Sequence, residues 1–109
     1  IRDRVQQRGA EIIKARGASS ASSAARAACE TVRAVEHPTR SGDVFNAAIM
    51  SDGAYDIPAG IFSGFPLISD GAGNVEIVRD YVLSDFAKNG LKKTADELLE
   101  EKNLVKDLI

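Results

Sequence analysis

Between Ala18 and Ala28, ten of eleven residues are alanine or serine, with Arg26 the exception. Alanine is the strongest helix former, and serine at the front of such a run favours the N-cap, where its hydroxyl accepts an orphan backbone N–H. The run therefore reads as a helix whose faces are unusually small. Another backbone, or a bound ligand, can come close to it, but it brings little side-chain volume to a core. That volume lies further on, because all six aromatic residues fall between Phe45 and Phe86.

The rest of the chain can be read around this run. Residues 1–16 predict a first helix, with Val5, Gly9, Ile12 and Ile13 on one narrow apolar face. Its stripe is thin enough to need a partner element. Gly17 suits the end of that helix. Residues 19–36 predict a second helix, with Ala21, Ala24, Ala25, Ala28, Val32 and Val35 at the helical period. His37-Pro38 closes it, since the residue before proline avoids the α region.

The period then changes. Val44 to Met50 reads as a strand with Phe45, Ala47 and Ile49 on one face. Ser51 to Gly60 is dense in turn residues. Ile61 to Ile68 reads as a second strand, in which Pro66 argues for an edge position or a bulge. Asp70-Gly-Ala-Gly73 turns the chain into a third strand, Val75 to Arg79, completing a hairpin. From Ser84, a fair N-cap, the helical period returns to about Leu108. Its apolar side holds Phe86, Leu91, Ala95, Leu98, Leu99, Val105 and Leu108, and its other charges, Lys102 included, read as an exposed face. The fold class is α+β: two N-terminal helices, a small mostly antiparallel sheet of about three strands, and a long C-terminal helix.

At 109 residues the chain is one domain, long enough to bury roughly 65% of its extended surface. Its net charge of −2 points to no nucleic acid, membrane or acidic substrate. The charge is uneven, however. Residues 1–40 hold eight Lys/Arg against four Asp/Glu, and residues 41–109 hold six against twelve. The basic part has no aromatic residue on which a base could stack. No run of eighteen apolar residues exists.

Catalytic signatures are few. There is no Gly-x-Gly-x-x-Gly after a strand and no phosphate loop. Cys29, the only cysteine, reads as a small core residue, and a reduced cytosolic compartment fits it. His37, the only histidine, has no Asp, Glu or Cys at ligand spacing. It reads as a surface residue facing the helix dipole. The residues alone predict no metal site and no nucleophile–histidine–acid set.

A family resemblance extends this reading. Val5 to Ala25, Ser51-Asp-Gly-Ala-Tyr-Asp-Ile-Pro58, Phe65-Pro66, Ser84-Asp-Phe86 and Thr94 to Lys102 resemble, in order, the C-terminal domain of NAD-dependent malate dehydrogenases of the cytosolic and related bacterial type. The resemblance covers nearly the whole chain. Asp56 stands where glycine is more often expected after the tyrosine.

The resemblance implies an intact enzyme that interconverts malate and oxaloacetate with NAD. It implies a histidine–aspartate pair and substrate-holding arginines upstream of the residues matched here, together with an N-terminal Rossmann domain that binds the cofactor. On that reading residues 1–109 form a C-terminal substrate-domain piece without a catalytic residue, inactive alone and binding no cofactor tightly. The implied partners are a small dicarboxylate substrate, the missing Rossmann domain and a second copy in a homodimer, in the cytoplasm. Ser19 and Ser20 match the segment beside substrate and nicotinamide, where their hydroxyls could donate to a carboxylate. N-capping is the other reading of the same two serines, and the two can coexist. The alternatives to malate dehydrogenase are a lactate dehydrogenase relative and a self-associating, non-catalytic interaction module.

Overall fold

The computed structural model describes residues 1–109. Its elements run α1 (Arg2–Arg16), α2 (Ser22–Glu36), β1 (Phe45–Met50), β2 (Phe62–Ser69), β3 (Val75–Ile77) and α3 (Asp85–Val105). The α+β order expected from the periodicities is the order observed. The backbone divides into two compact units, residues 1–33 and 34–109.

In the first unit, α1 ends where Gly17 turns left-handed (φ 78°) and its N–H closes on the Ile13 carbonyl at 2.8 Å. Asp3 in the first turn and Lys14 and Arg16 in the last complement the helix dipole. Only Ile12 of the expected stripe is half-buried; Val5 and Ile13 are exposed. The next helix begins three residues later than expected. Ala21 accepts the bond from the Ala25 N–H at 2.9 Å, so Ser19 and Ser20 precede α2 instead of opening it. Ala24, Ala25, Ala27, Ala28 and Cys29 of α2 are exposed, not core, and only Ala34 and Val35 near its end are half-buried.

The second unit is built on the sheet. Its order is β1-β2-β3, antiparallel throughout, with Ala47 opposite Phe65 and Leu67 opposite both Phe45 and Ile77. The strict alternation of β1 puts Phe45, Ala47 and Ile49 on the covered face. Phe65 and Leu67 are the largest fully buried side chains. Ala54, Ile57, Ile61 and Ala95 complete the core, with Leu91, Leu98 and Leu99 of α3 packed against it. Phe86, Val105 and Leu108 were expected on the apolar side of α3 but are exposed, so the buried stripe is confined to the middle of the helix. Lys102 is not merely an exposed charge: its ammonium donates to the Gly60 carbonyl at 2.8 Å and ties α3 to the loop before β2.

Pro66 lies in the central strand, contrary to the edge or bulge position expected. The register accounts for this. Pro66 stands opposite Val78, one residue beyond the end of β3, and its carbonyl accepts the Val78 N–H at 2.9 Å. The reciprocal bond would need a Pro66 N–H, which does not exist. The Tyr55 hydroxyl donates to the Val78 carbonyl instead. A tyrosine supplies the donor that proline lacks, and β3 stops at Ile77 instead of running to Arg79.

Two turns of the same sequence, Ser51-Asp-Gly53 and Ser69-Asp-Gly71, punctuate the sheet. Both serines are buried, and each hydroxyl bonds in two directions. Ser51 Oγ donates to the Ile57 carbonyl (2.8 Å) and accepts from the Gly53 N–H (3.1 Å). Ser69 Oγ donates to the Val35 carbonyl (2.6 Å) and accepts from the Gly71 N–H (3.1 Å). Each aspartate accepts the N–H two residues on, from Ala54 and Ala72 respectively. The glycines supply φ of +100° and +78°. Ser69 thus ties Val35, which belongs to this second unit, to the sheet.

Candidate functional site

The segment that the sequence offers as a ligand contact, Ser19-Ser20, lies in the four-residue link between Gly17 and Ser22. The Arg16 guanidinium donates to the Ser19 carbonyl, which holds the chain as it leaves α1. Ser20 is half-buried, and its Oγ accepts a 2.8 Å hydrogen bond from Ser23 Oγ in the first turn of α2. This is a side-chain contact, not the backbone N-cap expected. Ser19 is exposed. The two serines therefore stay beside a helix start, with a fixed positive charge one turn away on Arg16. N–H groups at a helix start and a guanidinium both favour an anion. The segment itself carries hydroxyls, backbone N–H groups and a guanidinium, and no carboxylate or imidazole.

His37 is exposed at the end of α2, and no group of His, Cys, Asp and Glu is placed to hold a metal ion. No helix is long and apolar enough to cross a membrane. A three-stranded antiparallel sheet without a strand–glycine loop–helix unit has no cradle for a dinucleotide pyrophosphate.

Perturbed acid–base groups lie elsewhere, in the second unit. The Arg79 guanidinium grips Asp52 with both nitrogens, one of them 3.2 Å from Oδ1. That bond holds the Asp52 carboxyl below its ordinary value, with help from the Ala54 N–H, and raises Arg79 in turn. Asp70 is also lowered, first by the Asn74 side chain (2.7 Å) and then by the Ala72 N–H. Both carboxylates are turn residues bonded to their own loops. The twin Ser-Asp-Gly turns were not singled out from the sequence; the repeated triplet was the signal available there.

The family model for the α/β C-terminal domain of lactate/malate dehydrogenase matches residues 1–109. The chain is 50% identical over 105 residues to a malate dehydrogenase of Magnetococcus marinus, covering 96% of this chain and 32% of that protein. Among solved structures, a malate dehydrogenase of Naegleria fowleri superposes with a TM-score of 0.89 at 39% identity, over 97% of this chain and 32% of that one. A Trichomonas vaginalis lactate dehydrogenase in complex with NADH and oxamate superposes with a TM-score of 0.85 at 25% identity, over 95% and 32%. The chain spans about a third of the length of each of these relatives. With this fold and a family match along every residue, the chain belongs to the lactate/malate dehydrogenase family, of which it carries the α/β C-terminal domain.

Proposed function

We propose that these residues are the substrate-side part of an NAD-dependent malate dehydrogenase, which interconverts malate and oxaloacetate by hydride transfer. The observation that carries this reading is the 50% identity to the Magnetococcus marinus malate dehydrogenase across almost the whole chain. The lactate dehydrogenase reading rests on the Trichomonas vaginalis structure, whose identity to this chain is half as great.

In this proposal NAD and the acid–base pair belong to sequence outside residues 1–109, on an N-terminal Rossmann domain. Ser19 and Ser20 line one wall of the site, and their hydroxyls donate to a substrate carboxylate. The placement of both serines beside a helix start and near Arg16 supports this role. The intact protein works as a cytoplasmic homodimer. Support for a second copy comes from large apolar side chains left exposed, among them Phe62 at 61% and Val82 at 97%.

The test is NAD-dependent malate oxidation by the intact polypeptide and, separately, by residues 1–109 alone. Turnover by the first and none by the second is expected. Robust turnover by residues 1–109 would overturn the assignment of the acid–base pair to sequence outside them. Light scattering of residues 1–109 separates out the non-catalytic module: self-association together with an inactive intact polypeptide would favour it.

A further inference from the structure

Tyr55 and Asp56 are consecutive non-glycine residues in the left-handed region, at φ 54° and 59°. Such pairs relax unless the surroundings hold them. Inside the loop the Ser51 Oγ–Ile57 and Ile57–Ala54 bonds do so, and two further contacts reach out of it to the same place. Asp52 grips Arg79, and Tyr55 donates to the carbonyl of Val78, the neighbouring residue. Residues 78–84, which run from the end of β3 to the N-cap of α3, have no regular secondary structure. Both segments line an apolar cleft of about 190 Å³, through Tyr55 and Ile57 of one and Tyr81 and Leu83 of the other, together with Phe65, Pro66 and Leu91.

We propose that residues 51–57 and 78–84 form one opening unit, a strap latched over this cleft by the Asp52–Arg79 and Tyr55–Val78 contacts and loaded by the left-handed pair. Releasing either latch frees Tyr55 and Asp56 to leave the left-handed region and exposes Ile57 and Phe65, while the β1–β2 pairing stays intact. The strap opens in a local step of its own, separate from global unfolding. Asp56 is the loading residue, since glycine would hold the same backbone without a Cβ penalty.

Amide hydrogen exchange on the intact polypeptide tests this. The reporters are the Ile57 N–H, bonded to the Ala54 carbonyl, and the Val78 N–H, bonded to Pro66. The control is the Ala47–Phe65 pair of β1 and β2. Tyr55→Phe and Arg79→Gln are each expected to speed exchange at both reporters by about fivefold, the effect of losing one modest polar contact, and to leave the control unchanged. Asp56→Gly is expected to slow both reporters together. Two results would overturn the proposal: Tyr55→Phe affecting Val78 alone while Arg79→Gln leaves Ile57 unchanged, or Asp56→Gly leaving both reporters as they were. Should the Tyr55 variant fail to fold, the Asp56 variant still decides, because Asp56 is exposed and its side chain makes no hydrogen bond or ion pair that would be lost.

Discussion

At Gly71 an added Cβ would meet Pro38 Cδ at 2.6 Å and Pro38 N at 2.8 Å, on a backbone whose φ is already +78°. Neither neighbour is the end of a flexible chain. Gly71→Ala is therefore expected to cost about 2–4 kcal/mol, combining left-handed strain with overpacking. A fall in denaturant midpoint at unchanged slope would report it. Asp52 gives a second expectation at this scale. Its folded pKa is depressed by Arg79, so its contribution to stability is present above the ordinary value of 3.8 and is lost as pH falls through the depressed one. Wild type should be more stable than Asp52→Asn at neutral pH, and urea titrations should show the gap narrowing as pH drops below about 4. Neither effect was legible in the sequence. Asp-Gly announces a turn, but which proline approaches it and which arginine grips it depend on residues about thirty positions away.

Among the elements, periodicity located the strands and helices because each buries one face against the same core. The alternation in β1 is uninterrupted, and Leu91, Ala95, Leu98 and Leu99 mark the face of α3 that packs. Sequence reasoning went astray where a local rule met a long-range partner. The missing N–H of Pro66 argues for an edge position or a bulge, and the Tyr55 hydroxyl, eleven residues earlier, removes the objection. The start of α2 moved from Ser19 to Ser22 because any serine in a Ser-Ser-Ala-Ser-Ser run can precede a helix, and propensity does not choose among them. Ser84 had no such competitor, and its side chain accepts the Ala87 N–H at 3.2 Å as expected of an N-cap. Ser84→Ala should destabilise α3 by about 1 kcal/mol, visible as a lower thermal midpoint and as faster exchange at Ala87.

For the whole molecule, the family was legible because separated matches occur in one order, which no single motif here could have matched for specificity. The candidate site was less so. Ser19 and Ser20 occupy a link beside a helix start, and in the proposed function the groups that would complete an active site lie outside residues 1–109. The central claim, that this domain serves an enzyme acting on malate and oxaloacetate, is tested most directly by one comparison on the intact polypeptide: kcat/KM for NADH-dependent reduction of oxaloacetate against that for pyruvate. A preference for oxaloacetate of at least about a hundredfold is predicted, because a site that pairs a second carboxylate discriminates strongly against a substrate lacking it. Equal rates, or a preference for pyruvate, would contradict the account and move the chain to the lactate dehydrogenase side of its family.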